Sequence, residues 1–471
     1  MSARNDIKSV SRRDFLRYTS VAGGALVLGT LLPSITPAWA SSTVDDAANT
    51  LNLFVSIDND GAVNIVCHRS EMGQGVRTGI PQIVADELCA DWSKVNVVQG
   101  LGDEAYGSQN TDGSRSIRRF YTTMREMGAT ARTMLENAAA QTWGVPVSDV
   151  FAENGAVMHK SSGKSLSFGE LAQMASQQSV PEVKNLTFKS PKDFKFIGKP
   201  VTSVDLPKVL TGDTVFGQDV QLDDMLYASI ERCPVVGGTV KAFDKEASRG
   251  VANVVDVIEM PEQSFPVLFK NLNGVAVLAS NTWSALQGRK ALNVTWDLGD
   301  NQSHDSDAYL AELEKRIVTK GKSIRSVGDA YQAFDTADTK LEATYTVPYL
   351  VHAPMEPPAA TAVFKDGHCE VWACTQTPQS TQQNVAGALG IDKSKVKVNV
   401  TLLGGGFGRK SKPDFSVEAA VLAQKTGKPV KVVWSREDDI RHGYYHAISA
   451  QHFQAGLDEA GKVTSWVQRT A

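Results

Sequence analysis

Cysteine is scarce in this 471-residue chain, and its distribution excludes several kinds of site. The five cysteines are odd in number and form no C-x-x-C pair, which argues against a zinc site or an iron–sulfur cluster held by this chain. A disulfide after export stays open, but no spacing singles out a pair. The cysteines are Cys67, Cys89, Cys233, Cys369 and Cys374. Any iron–sulfur centre is therefore expected on a partner.

The chain also lacks a strong charge of either sign. Its formal net charge is -4, and no basic run carries interleaved aromatic residues, so we expect no nucleic acid partner. It has no G-x-S-x-G elbow and no reactive-cysteine signature, which disfavours hydrolases. With 42% hydrophobic and 21% charged residues, the composition is that of an ordinary globular protein.

A histidine-based metal motif is missing as well. Only His442 and His446 have a helical i, i+4 spacing, and no nearby carboxylate completes a zinc motif, so we interpret both as surface or packing residues. Loops rich in glutamine, such as those around Gln74 and Gln376, offer neutral donors and acceptors. Such groups suit an organic cofactor better than an ion, and no direct protein ligand to a metal is expected.

The amino terminus carries an export signal. A twin-arginine segment, Ser11–Arg17, precedes an apolar stretch, Val21–Leu32, and a cleavage-like Ala38-Trp39-Ala40. The alternative is a chance arginine pair before a short anchor, but the apolar stretch is too short and too glycine-rich to span a bilayer comfortably. We therefore expect a Tat signal peptide at residues 1–40, recognition by the Tat export machinery and a periplasmic location. Because this route carries folded proteins, it favours a redox cofactor loaded in the cytoplasm.

A sixteen-residue word occurs twice, at Gln82–Val97 and at Gln383–Val398, with nine identities and no gap. Each occurrence follows a strand, turn, strand pattern, at Leu51–Cys67 and at Ala362–Cys374. The pattern indicates an internal duplication. A duplication of the fold with no shared site remains open at this point.

Glycine- and glutamine-rich loops flank both words. The first word has Met72-Gly73-Gln74-Gly75 before it and Gly102–Ser116 after it, and the second has Thr375–Pro378 before it and Gly404–Gly408 after it. Loops at matching ends of related units can face one ligand. The hypothesis is that Gln74 and Gly113 converge with Gln376 and Gly408.

Two of these loops have the composition of binding loops. Gly404–Gly408 lets a backbone approach a ligand closely, but it is not a Walker A loop, and Arg409 stands where G-x-G-x-x-G needs its last glycine. Thr111–Ser116 precedes a helical pattern at Ile117–Trp143, and its hydroxyls, backbone N–H groups and Arg115 suit an anionic group. A plain Ser/Thr helix cap is the alternative for that segment.

Composition and periodicity divide the chain into segments and predict an α+β fold. Ser167–Glu170 is typical of a capping box that begins a short helix. The expected segments are the signal at 1–40, a first unit at 50–176, a linker at 177–206, a compact domain at 207–297, a linker with a helix at 298–340 and a second unit at 341–471, which looks incomplete at its end.

Several motifs together resemble one family. The glycine loop with Gln376 upstream, Met72–Gly75 and His352–Pro357 are similar to the molybdopterin-binding large subunit of the xanthine oxidase family, in its isoquinoline 1-oxidoreductase and exported aldehyde dehydrogenase branch. Residues 207–297 resemble the α/β hammerhead domain of that family. The resemblance implies duplicated molybdenum-cofactor-binding α/β units with an inserted hammerhead domain.

The resemblance also implies a cofactor and roles for particular residues. The cofactor is molybdenum with molybdopterin cytosine dinucleotide, and Gln376 hydrogen-bonds an oxygen ligand of the metal. The backbone of Phe407 and Gly408 cradles the metal. The implied cofactor-binding residues are Gly73, Gln74, Gly75, Gly113, Ser114, Ser116, Gln376, Gly405, Gly406, Phe407, Gly408 and Arg409.

The implied activity is hydroxylation of an aldehyde or an N-heteroaromatic compound, with water as the oxygen source. The implied partners are a small ferredoxin-like [2Fe-2S] subunit, which takes the electrons, and a cytochrome c acceptor. Purine-oxidising members place a glutamate where this chain has Ser411, so purines are not expected as substrates.

Two features depart from the usual pattern. The Met72–Gly75 loop precedes the Gly404–Gly408 loop, as in the isoquinoline-type branch. The catalytic glutamate of the family lies in a Gly-x-Gly-Glu segment near the carboxy terminus, which these residues lack, and Phe168-Gly169-Glu170 is a helix start that cannot replace it. We therefore expect a missing downstream part. An exported cofactor-binding or assembly protein without turnover is the alternative function.

Overall fold

A computed structural model describes residues 49–471. The predicted signal peptide at 1–40 lies outside the described residues. The chain forms two compact units: within the described residues, unit 1 comprises 49–224 and 359–430, and unit 2 comprises 225–358 and 431–471. The predicted segment bounds are finer than this division and stay a prediction.

The described residues form a mixed set of strands and helices. The strands are β1 (Asn49–Asn52), β2 (Val55–Ile57), β3 (Val63–Cys67), β4 (Val95–Gln99), β5 (Val150–Glu153), β6 (Ala156–His159), β7 (Ser165–Ser167), β8 (Leu226–Arg232), β9 (Thr239–Ala242), β10 (Val254–Glu259), β11 (Gly274–Ala279), β12 (Thr295–Asp297), β13 (Thr339–Val347), β14 (Ala359–Lys365), β15 (His368–Ala373), β16 (Val396–Val400), β17 (Val430–Val433), β18 (Ser449–Leu457) and β19 (Val463–Thr470). The helices are α1 (Val76–Leu88), α2 (Ser116–Trp143), α3 (Phe168–Ser176), α4 (Leu206–Thr211), α5 (Lys245–Arg249), α6 (Thr282–Lys290), α7 (Ser306–Ile317), α8 (Ala330–Asp335), α9 (Pro378–Leu389), α10 (Asp414–Thr426) and α11 (Arg436–His442). The fold is α+β, as predicted.

Unit 1 contains the predicted duplication as two copies of one motif. The first copy runs from β2 to β4 and the second from β14 to β16. In each copy an antiparallel hairpin is followed by a helix and then by a strand parallel to the second hairpin strand. The shared D-x-S of the repeated word has the same role twice, because Asp91 and Asp392 each accept the backbone N–H of the serine two residues later. The duplication is thus confirmed in structure.

The long helix α2 packs against α1 to form the core of the first copy. Its buried residues recur at helical spacing and include Met124, Met134 and Leu135, as the sequence pattern predicts. Gly128 lets the two helices approach closely, since a Cβ there would lie 2.5 Å from the carbonyl oxygen of Val84. Side-chain volume at that one position is therefore limited by backbone contact.

The predicted linker at 177–206 is held against α1 by two buried carboxylates. Asp86 accepts the backbone N–H groups of Phe196 and Ile197, each at 2.8 Å. Glu87 forms ion pairs with two arginines of α2 and accepts the backbone N–H of Lys189. We call this anchored segment, residues 177–206, the strap. In the second copy of the repeated word, Gly387 and Ala388 stand where the first has Asp86 and Glu87, so the carboxylates that hold the strap belong to the first copy.

Unit 2 has its own sheets and its own buried charge cluster. Strands β10, β11 and β8 are antiparallel neighbours, and β13, β18 and β19 form a separate antiparallel sheet. Arg232 lies 3.9 Å from the centroid of the Trp434 ring, and Asp438 accepts from Arg289 at 2.8 Å. Burial, followed by the charge of Arg232, lowers the pKa of His442 to about 4, in keeping with the predicted packing role.

Local predictions of helices and strands are largely confirmed. The capping box at Ser167 begins α3, and the helical pattern at Ile117–Trp143 forms α2. The last two strands, β18 and β19, form an antiparallel pair. Across residues 49–471, the helices are all too short or too polar to cross a lipid bilayer.

Candidate functional site

Gln376 joins the loops of the two copies in unit 1. Its side-chain amide donates to the carbonyl oxygen of Thr111 at 2.9 Å and accepts the backbone N–H of Gly408 at 3.0 Å. Its backbone accepts the N–H of Thr111 and donates to the carbonyl of Lys410, each at 2.9 Å. Gln376 is only 2% exposed, so these bonds are formed away from water.

Further hydrogen bonds connect the same loops. The hydroxyl of Ser70 donates to the carbonyl of Thr375 at 2.7 Å, and the backbone N–H of Leu403 donates to the carbonyl of Glu71 at 3.0 Å. The side chain of Gln379 donates to the carbonyl of Gly107 at 2.7 Å. The loops that flank the two words therefore meet in the structure, through residues close in sequence to Gln74 and Gly113. The convergence of Gln74 and Gly113 themselves with Gln376 and Gly408, and the role of these loops toward a ligand, stay a prediction.

The Gly404–Gly408 loop has a backbone that few residue types can adopt. Gly405, Phe407 and Gly408 have φ values of +90°, +53° and +101°. A Cβ on Gly406 would lie 2.5 Å from Oε1 of Gln376 and 2.8 Å from Sδ of Met72. Phe407 is 71% exposed, so the tip of the loop faces solvent and is accessible to a ligand.

Arg409 directs its side chain into the protein. Its guanidinium forms two hydrogen bonds of 2.9 Å with the carboxylate of Asp414, and both side chains are buried. Arg409 therefore fixes the start of α10 relative to the glycine loop. Its predicted contact with a cofactor stays a prediction, and such a contact would have to come from its backbone.

The Met72–Gly75 loop is closed around Glu71, which the sequence analysis did not single out. The Glu71 carboxylate accepts the backbone N–H groups of Gly73, Gly75 and Arg77, each at 2.9 Å. Gln74 folds back on the same loop, where it accepts the N–H of Met72 at 2.7 Å and donates to Ser70 at 2.9 Å. The sequence signal for this arrangement is an acidic residue just before a Gly-x-Gly at a helix start.

The helix α2 begins without a side-chain cap, and the Arg115 beside its start is paired with Asp112. Gly113 and Ser114 both have a φ of +54°, and the N-cap Arg115 makes no side-chain capping bond. The alternative of a plain Ser/Thr cap is therefore wrong. A 28-residue helix thus begins here with backbone N–H groups that no side chain caps and with the positive end of its dipole.

A second arginine, Arg69, lies beneath this segment. It is 1% exposed, donates to the carbonyl of Asn110, and lies 4.7 Å from the centroid of Phe120. Burial, followed by the charges of Arg115 and Arg119, lowers the pKa of Arg69 to about 10. Three guanidinium groups therefore share one region at the start of α2. The only sequence signal for Arg69 was its place directly after a strand end.

His68 is buried beside Arg69 as a neutral residue. Burial, followed by the charge of Arg69, lowers the pKa of His68 to about 3. The ring packs 4.4 Å from Phe120, centroid to centroid, and its Nδ1 has no hydrogen-bond partner within residues 49–471. The polar atoms of this region are thus not all satisfied by the protein.

A cavity of about 320 Å³ opens in unit 1 where β4 and β16 end. It is lined by Gln99 and Trp372 among others, and by Arg77, whose guanidinium pairs with Asp205 at 3.0 Å. The buried hydroxyl of Thr214 in its wall has no hydrogen-bond partner within the part of the chain that the structure describes. Parallel strands of two related motifs thus end at a space large enough for a small organic group.

The residues present fit an organic cofactor with an anionic tail. Gly406 forms a cradle that a Cβ would fill, and the start of α2 supplies donors beside a cluster of arginines. Among residues 49–471, no group of three or more His, Cys, Asp or Glu side chains could hold a metal ion. Burial raises the pKa of Cys67 and of Cys369 to about 12, so these two thiols are poor nucleophiles.

Comparison with known proteins identifies the family. Two models, both described as molybdopterin cofactor-binding domains, match residues 31–204 and 311–469. The isoquinoline 1-oxidoreductase subunit beta of Brevundimonas diminuta is 32% identical over 96% of this chain and 62% of its own length. The membrane-bound aldehyde dehydrogenase [pyrroloquinoline-quinone] of Gluconacetobacter polyoxogenes is 29% identical over 98% of this chain and 60% of its own length. The chain thus spans about three fifths of the length of these relatives.

A solved structure gives a weaker likeness. The aldehyde oxidoreductase from Desulfovibrio gigas is 17% identical, with a TM-score of 0.48 over 63% of this chain and 37% of that one. The family models and the curated relatives assign the family without this structural likeness. The chain belongs to the molybdopterin-binding subunits of the xanthine oxidase family.

Proposed function

We propose that this chain is the molybdopterin-binding part of a molybdenum hydroxylase that oxidises an aldehyde or an N-heteroaromatic compound. The observation that carries the proposal is the position of Gln376, which joins Thr111 in the loop after the first copy to Gly408 in the exposed glycine loop after the second. The names of the similar proteins from Brevundimonas and Gluconacetobacter support the two substrate classes.

Different loops hold different parts of the cofactor. The backbone of Gly405, Phe407 and Gly408 forms the cradle, and the buried amide of Gln376 fixes its shape. Gly113, Ser114 and Ser116 lie near the arginine cluster and offer donors to a phosphate or dinucleotide tail. Once bound, the molybdenum group supplies transfer of a water-derived oxygen to an electrophilic carbon.

Ser411, three residues after the glycine loop, bears on which substrates the site accepts. Ser411 donates its backbone N–H to the carbonyl of Gly408 at 3.2 Å, and its own carbonyl accepts from Thr377 at 3.0 Å. Its side chain carries no negative charge that could hold a protonated purine edge. We therefore propose substrates other than purines.

The partners and the location belong to the same proposal. A small ferredoxin-like [2Fe-2S] subunit takes the electrons, because the five scattered cysteines form no cluster motif. A cytochrome c is the proposed onward acceptor. Tat export at residues 1–40 brings the loaded protein to the periplasm, and the cofactor is the cytosine dinucleotide form.

The test is made on the longest polypeptide that the gene encodes, purified together with its partner from a host that makes the molybdenum cofactor. Molybdenum per chain is measured by mass spectrometry, and the nucleotide released by acid is identified as CMP or GMP. We expect about one molybdenum and one CMP per chain, and reduction of a dye by an aldehyde or a quinoline. Absence of both molybdenum and pterin would contradict the proposal. A loaded protein that turns over neither substrate class would favour a cofactor-binding or assembly protein.

A further inference from the structure

We infer that Glu71 is the positioning residue of the Met72–Gly75 loop, and that it withholds the backbone donors of this loop from the anionic part of a cofactor. The inference rests on the proposed function. It assigns the loop a shaping role and places the anionic tail at the start of α2. Glu71 would act through the loop, without touching substrate.

The contacts of Glu71 use both carboxylate oxygens. Oε1 accepts the N–H groups of Gly73 and Gly75, and Oε2 accepts that of Arg77, each at 2.9 Å. Glu71 is 8% exposed, so the three bonds are largely shielded from water. These are the N–H groups that a phosphate at a helix start would ordinarily use. In this chain an internal carboxylate holds them.

The helix that follows needs this charge. Gly75 is the N-cap of α1 and provides no side-chain cap, and the first turn of α1 contains no acidic residue. A carboxylate just before the helix therefore supplies the capping bonds and the negative charge that its dipole favours. Gly73 and Gly75 have φ values of +103° and +77°, with open space where a Cβ would be. Backbone angle rather than crowding requires glycine at both positions.

Glu71 also connects the two loops. Its carbonyl accepts the N–H of Leu403, directly before the glycine loop, at 3.0 Å. The next residue, Met72, places Sδ 2.8 Å from the point that a Cβ on Gly406 would occupy. A change in the Met72–Gly75 loop would therefore be transmitted to the cradle.

The consequence is a division of roles between two loops of the first copy. The Met72–Gly75 loop contributes Gln74 and a fixed shape, because its N–H groups at Gly73 and Gly75, and that of Arg77 in the following helix, are already bonded. The uncapped start of α2, with Arg69 and Arg119 nearby, remains for an anion. A phosphate bound at Gly73 and Gly75 would have to displace a carboxylate of the same charge sign.

The experiment compares Glu71→Ala and Glu71→Gln with Asp86→Asn in the purified full-length complex. Asp86 is a matched control, since it is a buried carboxylate that accepts backbone N–H groups and belongs to α1, yet it binds the strap. The readouts are amide hydrogen exchange at residues 72–77, molybdenum and pterin per chain, and the thermal midpoint. Exchange can be measured with or without cofactor.

We expect Glu71→Ala to speed exchange at Gly73, Gly75 and Arg77 by about tenfold or more and to lower cofactor retention by a similar factor. Glu71→Gln keeps an oxygen for Gly73 and Gly75 and should restore most of both. Asp86→Asn should speed exchange at residues 195–197 and keep cofactor content. Arg119→Ala should lower cofactor retention and leave exchange at Gly73 and Gly75 unchanged.

Two results would overturn the inference. The first is unchanged exchange or unchanged cofactor content in Glu71→Ala, and the second is an equal loss of cofactor in Asp86→Asn. A wild-type protein without molybdenum and pterin would instead refute the proposed function. In that case the exchange data from cofactor-free protein still decide whether Glu71 holds the loop.

Discussion

The side-chain amide of Gln376 donates to the carbonyl oxygen of Thr111 at 2.9 Å, and this bond joins residues that are 265 positions apart in the sequence. Thr111 lies in the loop that follows the first copy of the duplicated motif, and Gln376 lies in the second copy. A buried amide that is bonded at both ends holds two loops in one arrangement. The shape of the cradle therefore depends on a contact that neither copy could make alone.

Replacing this amide should weaken both the fold and the cradle. Gln376→Ala leaves a buried carbonyl and the N–H of Gly408 without their partner, and we expect a loss of about 3 kcal/mol in the free energy of unfolding. Denaturant unfolding measures the loss. Gln382→Ala is the control, because Gln382 donates to the carbonyl of Val396 within its own copy, and it should cost about 1 kcal/mol or less. Equal losses would contradict the bridging role of Gln376.

A methyl group at Gly406 should disturb the same place by crowding. Gly406→Ala forces Oε1 of Gln376 and Sδ of Met72 to move, and we expect destabilisation by about 1–3 kcal/mol with lower cofactor content. Gly387 is the matched control, since it is an exposed glycine near the end of α9 with open space around it. Gly387→Ala should stabilise by about 0.5–1 kcal/mol. The thermal midpoints of the two variants should therefore shift in opposite directions.

Local sequence signals predicted most of the elements because their causes are local. The repeated word and the capping box at Ser167 each act within a few residues, and the structure has them as predicted. The meeting of the two loop sets, seen in the bond from Gln376 to Thr111, was expected from the symmetry of the copies. The periodicity of hydrophobic residues does not show which polar groups form hydrogen bonds within the protein.

The missed residues are those whose partners lie far away or in the backbone. Glu71 bonds to backbone N–H groups, so its type alone does not reveal its partners, and Arg69 lies over Phe120 on another element. The buried pair Asp86 and Glu87 did have a signal, since the second copy has glycine and alanine at the matching positions. Charge in one copy of a repeated, buried helix indicates a contact that the other copy lacks.

The strap gives a prediction about acid stability. Burial raises the pKa of Asp86, but hydrogen bonds from Ile197, Lys189 and Phe196 outweigh it, so the pKa is lowered overall. The stabilisation is therefore present above the ordinary aspartate pKa of about 3.9 and is lost as pH falls below that value. Asp86→Asn should remove this acid-sensitive part and cost about 1.5–3 kcal/mol near neutral pH.

Acid and urea unfolding curves measured together test this prediction. The exposed carboxylate of Glu153 is the control, because it pairs with Lys195 of the same strap at 3.3 Å. Glu153→Ala should change the free energy of unfolding by less than about 0.5 kcal/mol. A larger effect from Glu153 than from Asp86 would contradict the assignment of the buried carboxylate as the anchor.

Removing one partner of the buried pair Arg409 and Asp414 should destabilise the fold more than replacing both partners with apolar side chains. Arg409→Ala leaves a buried carboxylate uncompensated, and we expect a loss of about 3–5 kcal/mol. The double variant Arg409→Met with Asp414→Leu should lose less than either single variant. Arg316→Ala, which removes an exposed pair with Glu312, should cost less than about 1 kcal/mol. Denaturant unfolding of these variants, of Arg409→Met and Asp414→Leu singly, and of the wild-type protein gives the comparison. An additive double variant would contradict coupling of the pair.

His68 should make the fold weaker as pH falls. Its folded-state pKa of about 3 lies below the ordinary value of about 6.5, so only the unfolded chain takes up a proton between these two values. Each unit of pH lost in that window favours unfolding, by at most about 1.4 kcal/mol for one proton. His68→Phe keeps an aromatic ring beside Phe120 and removes this proton. The slope of unfolding free energy against pH should therefore become shallower between about pH 6 and pH 4. An unchanged slope would mean that His68 is protonated in the folded protein.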